Sequence, residues 1–156
     1  MFIKVNINGK EKNIDVRPDE FLADTLRENG YVSVKKGCDT GSCGLCTVIV
    51  NGKACLSCNY LSVRADGKSI LTLEGVTEEA KEFGEFLANQ GADQCGFCAP
   101  GFIMMVLAMK RELSNPTEEE IIDYLNGNLC RCTGYKGQLR AIHEYLNAQK
   151  QCDMGR

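Results

Sequence analysis

Apolar and polar positions alternate along the first seven residues, with Ile3, Val5 and Ile7 set against Lys4 and Asn6. Asn8-Gly9 follows, and then a second alternating run from Lys10 to Val16. Alternation with a period of two is the pattern of a half-buried strand, and Asn-Gly between two such runs is the strongest short hairpin signal. The same arrangement recurs at Thr47-Val48-Ile49-Val50, Asn51-Gly52 and Lys53 onward. Between the hairpins, Glu20 to Asn29 brings Phe21, Leu22 and Leu26 to one face and ends at Gly30, which predicts a short helix with a glycine stop. A last strand is expected over Ser69 to Leu73.

From Val76 the period lengthens. Thr77 to Gln90 carries Ala80, Phe83, Phe86 and Leu87 on one side of a helix. Pro100 suits the first turn of a second helix, which runs through Ile103, Met104, Val106, Leu107 and Met109 to about Leu113. Thr117 caps a third, with Glu118, Glu119 and Glu120 in its first turn, where the helix dipole favours acids. A fourth begins near Gly137 and carries Leu139, Ile142 and Leu146. The expected fold class is therefore α+β, with a strand-rich domain over 1–76 and a four-helix domain over 77–156.

Charge and composition narrow the function classes. The chain has 156 residues, a net charge of −3 and one His, with no basic patch to neutralise phosphates, which argues against a nucleic-acid partner. Its N-terminus alternates and lacks an apolar h-region, so no export signal is expected, and no apolar run is long enough for a membrane span. Ten cysteines in such a chain point to a reducing cytoplasm and to metal ligation rather than disulfides.

Eight of those cysteines fall into two groups. The first is Cys38-x4-Cys43-x2-Cys46 followed by Cys58, the plant-type ferredoxin spacing for a 2Fe–2S cluster. Gly37, Gly41 and Gly44 give its loop the freedom to wrap three thiolates around one cluster. Two cysteines compete to be the fourth ligand. If Asn51-Gly52 forms the turn, Val50 faces Lys53, Val48 faces Cys55 and Cys46 faces Ser57. Cys58 then lies beside Cys46 while Cys55 stands about 7 Å further along the ladder. Cys58 is the expected ligand, provided the strand ends or bends there, and Cys55 reads as a small buried hydrophobe.

The second group is Cys95-x2-Cys98 with Cys130-x-Cys132. Each pair precedes a helix, so two similar loops are expected to meet over one anionic site at helix N-termini. Structural zinc also takes four cysteines and is the alternative for this group. His143 reads as structural, Met104, Met105 and Met109 as packing or a subunit contact, and Cys152 as a free thiol in a polar tail. No nucleophile–base set, P-loop or dinucleotide fingerprint is present, so no catalytic residue is expected on this chain.

Four stretches together, GCDTGSCGLC, NGKACLSC, QCGFCAPGFIMM and NLCRCTGY, resemble the small iron–sulfur subunit of the molybdenum hydroxylases, the xanthine dehydrogenase family. The resemblance covers nearly the whole chain and includes stand-alone bacterial subunits. It implies a β-grasp ferredoxin domain followed by a helical domain, with ligands Cys38, Cys43, Cys46, Cys58, Cys95, Cys98, Cys130 and Cys132. It also implies a large partner subunit holding a molybdopterin cofactor and a medium one holding FAD. Electrons would pass from molybdenum through the helical-domain cluster, then the ferredoxin-domain cluster, to the flavin. The family pattern sets Gln94 against the pterin with Cys132 nearby. The alternative is a free-standing two-cluster ferredoxin.

Overall fold

The computed structural model describes residues 1–154, with side chains described through residue 151. Strands β1 (Phe2–Ile7) and β2 (Lys10–Asp15) pair antiparallel with Ile7 opposite Lys10. Asn8 at φ 53° and Gly9 at φ 80° make the left-handed turn that the Asn-Gly pair is suited to. The second hairpin joins β3 (Thr47–Val50) to β4 (Lys53–Leu56), with Asn51 at φ 47° and Gly52 at φ 84°. Its register sets Val50 opposite Lys53 and Val48 opposite Cys55, as expected from the turn.

Strand β5 (Ser69–Leu71) lies between the hairpins, parallel to β1 and antiparallel to β3, which gives the order β2-β1-β5-β3-β4. Helix α1 (Leu22–Glu28) packs Leu22 and Leu26 onto this sheet with Ile3, Val5, Ile7 and Ile70. Two hairpins, one covering helix and a late central strand form a β-grasp. Phe21 departs from expectation: it is 42% exposed, because it occupies the N-cap of α1 in extended conformation and falls off the helix face.

All four residues of β3 are buried. Val48 and Val50 face the α1 side, whereas Ile49 joins a second apolar cluster with Phe83, Phe102, Leu107 and Ile142. The sheet is thus covered on both faces at β3, and its run of four apolar or β-branched residues is what a strand buried on both sides requires.

The second cover is formed by α2 (Thr77–Asn89), α3 (Ala99–Glu112), α4 (Glu118–Leu125) and α5 (Lys136–Met154). Thr117 and Glu120 close a reciprocal capping box at the start of α4. Met104 and Met109 are 1% and 0% exposed, so both fill the core of this chain rather than a subunit surface. Cys152 falls within α5 rather than in an irregular tail, and its side chain lies outside the described ones. Among the described residues, no helix is long and apolar enough to cross a membrane.

Candidate metal centres

The loop from Gly37 to Cys46 connects α1 to β3. Gly41 and Gly44 take φ of 69° and 73°, the left-handed turns that aim three thiols inward. Gly37 serves differently. It has no positive φ, but a Cβ there would stand 2.8 Å from Leu45 Cδ2, so it is small for close packing. The thiol of Cys38 is held at about 6, below the ordinary thiol range, first by its contact with Cys43 and then by backbone N–H groups of Thr40, Ser42 and Cys43. The Ser42 amide donates to Cys38 Sγ at 3.4 Å. Burial pushes the Cys43 thiol up, against backbone N–H groups of Leu45 and Gly37 that favour its thiolate.

Beyond the hairpin, Ser57 stands opposite Cys46: its amide and hydroxyl both donate to the Cys46 carbonyl, at 3.3 and 2.6 Å. Strand β4 ends at Leu56, and a 3-10 turn over Ser57–Asn59 bends the chain. That bend returns Cys58 to Cys46. Burial and then the Cys46 thiol push Cys58 up to about 12. Cys55 stays on the strand opposite Val48, half-buried, and burial pushes it up to about 11.

The second group comes together from two loops, with Cys98 and Cys130 standing 32 residues apart in the chain. Cys98 is the N-cap of α3, and Cys132 precedes the first residue of α5, Lys136. Cys132 Sγ lies 3.6 Å from Cys95 Sγ. Cys98 contacts Cys130; burial, then that contact, pushes Cys98 up to about 12. Cys130 is held down despite its burial, because Thr133 Oγ1 donates to its sulfur at 3.2 Å and the amides of Cys132 and Thr133 add to that. The Cys130 amide in turn donates to Tyr135 Oη at 2.9 Å. Nothing local in the sequence marks Thr133 and Tyr135 for this role beyond their place in the run that follows the second cysteine pair.

The eight thiols therefore form four pairs: Cys38–Cys43, Cys46–Cys58, Cys95–Cys132 and Cys98–Cys130. Among the described residues no three His, Cys, Asp or Glu side chains converge on a single point. Mononuclear zinc requires all four sulfurs at about 2.3 Å from one ion. Two facing pairs suit a 2Fe–2S cluster, which takes four thiolates over two irons. Burial, and after it the neighbouring thiols, raise Cys58 and Cys98, whereas hydrogen bonds hold Cys38 and Cys130 down. The donor set fits the cluster.

The sites differ in depth. Cys43 and Cys46 are buried, whereas Cys95 and Cys132 are exposed. Gln94 is exposed beside them, with Nε2 donating to the Gly91 carbonyl of its own loop at 3.5 Å. The two loops are tied together. The amide of Leu129, next to Cys130, donates to the carbonyl of Cys43 at 2.9 Å. Asn128 Nδ2 donates to the neighbouring Gly44 carbonyl at 3.2 Å.

Two family models match the sequence, a 2Fe–2S iron–sulfur cluster binding domain over residues 5–82 and a 2Fe–2S binding domain over residues 72–143. The chain is 46% identical over 136 residues to the nicotinate dehydrogenase small FeS subunit of Eubacterium barkeri, spanning 85% of this chain and 87% of that protein. It is 47% identical over 141 residues to the xanthine dehydrogenase iron–sulfur-binding subunit of Escherichia coli O157:H7, spanning 86% and 87%. Its fold superimposes on a chain of quinoline 2-oxidoreductase from Pseudomonas putida 86 with a TM-score of 0.88 at 37% identity, covering 97% of this chain and 96% of that one.

Proposed function

Because this chain belongs to the iron–sulfur subunits of the molybdenum hydroxylases, the xanthine dehydrogenase family, we propose that it holds two complete 2Fe–2S ligand sets. Cys38, Cys43, Cys46 and Cys58 form one, in a domain spanning 1–76. Cys95, Cys98, Cys130 and Cys132 form the other, in a domain spanning 77–156. The partners are a molybdopterin-binding large subunit and an FAD-binding medium subunit, and the thiol-rich chain is suited to the reducing cytoplasm.

The observation that carries this reading is the hydrogen bond from the Leu129 amide to the Cys43 carbonyl. It joins a ligand of one set to the neighbour of a ligand of the other, through backbone alone. The bound clusters supply one-electron storage on either side of that bond. The surrounding residues hold the thiolates: amides of Thr40, Ser42 and Cys43 toward Cys38, and Thr133 toward Cys130. Hydrogen bonds of this kind stabilise the charged sulfur and raise a cluster's potential.

The second set, with Cys95 and Cys132 exposed, faces the molybdenum side in this reading, and the first set, with Cys43 and Cys46 buried, passes electrons on to the flavin. Gln94 supports that direction. Its amide both donates and accepts, which suits a pterin ring edge. Among the described residues its side chain makes only the 3.5 Å contact with Gly91, which is long for a hydrogen bond and readily exchanged. Cys132 lies on the same exposed rim.

Gln94→Ala is expected to slow reduction of the clusters by substrate, by up to about tenfold for the loss of one hydrogen bond. Reactions of the flavin with its own acceptor stay unchanged. The test is rapid mixing of the native complex with a substrate found from a panel of N-heterocycles, aldehydes and CO, following cluster bleaching. Cluster reduction as fast as in the wild type would remove Gln94 from the route.

A further inference from the structure

We infer that Gln138 is a positioning residue that sets the potential of the helical-domain cluster through the sulfur of Cys98. Gln138 lies in the first turn of α5 and is 4% exposed. It sits between a cavity lined by Phe102, Leu139 and Ile142 together with Asn126 and Asn128 and the pocket that holds the four cysteines. A buried amide without full hydrogen bonding is destabilising, so its presence at such a place calls for a compensating contact.

Its Nε2 is directed at Cys98 Sγ, 4.0 Å away. Its Oε1 has no hydrogen-bond partner among the described residues. The amide therefore aims its donor at the sulfur while its buried oxygen is left without a partner. Toward a neutral thiol this contact is weak. Toward a thiolate bound to a cluster it becomes a charge-assisted hydrogen bond in a low-dielectric setting, where such bonds are strongest. It favours the form carrying the extra negative charge, which is the reduced cluster. Among the described residues, Gln138 and Cys130 are the side chains in contact with the Cys98 sulfur. Gln138 thus acts on the ligand that Thr133 does not reach. A more positive potential at this cluster makes it a readier first acceptor for electrons from the molybdenum side.

The inference rests on the reading that Cys95, Cys98, Cys130 and Cys132 hold a cluster. The experiment is a redox titration of the native complex followed by EPR, comparing wild type with Gln138→Leu and Gln138→Met. Met matches the length of Gln without its donor, and so separates loss of the hydrogen bond from loss of volume. Both variants are expected to shift the reduced-to-oxidised ratio of one cluster about tenfold toward the oxidised form at a fixed potential, a fall of about 59 mV for a one-electron couple. The second cluster's midpoint is expected to stay where it is. Unchanged midpoints, equal shifts in both clusters, or loss of the cluster in both variants would overturn the role given to Gln138. Absence of a second cluster signal in the wild type would instead overturn the ligand set on which it rests.

Discussion

Cys58→Ser is expected to abolish the ferredoxin-domain cluster, while Cys55→Ser leaves both clusters in place. The two residues are three positions apart and equally plausible by composition. The difference lies in the path of the chain. Cys55 is held in the β4 ladder opposite Val48, packed against the sheet core. Cys58 lies past the end of that ladder, in the 3-10 turn over Ser57–Asn59. The Ser57 amide and hydroxyl both hold the Cys46 carbonyl, which fixes where that turn begins. Burial raises both thiols, but Cys58 also makes direct contact with the Cys46 thiol, which acts on Cys55 only through its charge. Serine keeps the size but offers no thiolate, so the fourth ligand is lost outright. Iron content and the visible spectrum read the result. Retention of both clusters in Cys58→Ser, with loss of one in Cys55→Ser, would assign the ligand to the ladder instead.

Gly101→Ala is expected to destabilise the chain by about 1–3 kcal/mol, the usual penalty for overpacking a close contact. Gly101 lies on α3 where the helix crosses the first cysteine loop. A Cβ there would stand 2.5 Å from the Gly44 carbonyl oxygen and 2.8 and 2.9 Å from Leu45 Cα and O. All three are backbone atoms of the loop between Cys43 and Cys46, so no side chain can turn aside. Either the helix withdraws or the cluster loop distorts, and the Leu129–Cys43 bond nearby is strained with it. Gly84→Ala is the control, because nothing lies within 4 Å of a Cβ at that position of α2. It is expected to stabilise by about 0.5–1 kcal/mol through helix propensity. Thermal unfolding checks both, with about 2–4 °C per kcal/mol for a domain of this size. Equal melting temperatures for the two variants would mean that the α3 contact is not a constraint.

The sequence is most informative where one local rule acts alone. Asn51-Gly52 sets the turn, the turn sets the register, and the register separates Cys58 from Cys55. The condition attached to that choice, that the strand bend at Cys58, is met by the turn over Ser57–Asn59. The helices of the second half were equally legible, because Pro100 and Thr117 mark helix starts by well-understood chemistry. What pattern did not reveal depends on contact between distant segments. Phe21 has the right spacing to join Leu22 and Leu26, yet the helix begins one residue later and leaves it exposed. The Met-rich helix reads equally as core or interface, and only packing against α2, α4 and α5 decides for the core. Gln138 looks like an ordinary surface residue of an amphipathic helix, and nothing local announces that Cys98, 40 positions earlier, lies beside it. Gly37 has a similar explanation, since its small size answers to Leu45 across the loop rather than to its own backbone.

In the proposed function one chain holds two distinct 2Fe–2S clusters. Metal analysis of the purified protein combined with EPR after reduction tests it most directly. Expected are about four irons per chain, two for each cluster, no stoichiometric zinc, and two distinguishable signals of equal intensity, because Cys43 and Cys46 of the first set are buried whereas Cys95 and Cys132 of the second are exposed. Zinc in place of iron, or iron sufficient for only one cluster with a single EPR signal, would contradict it.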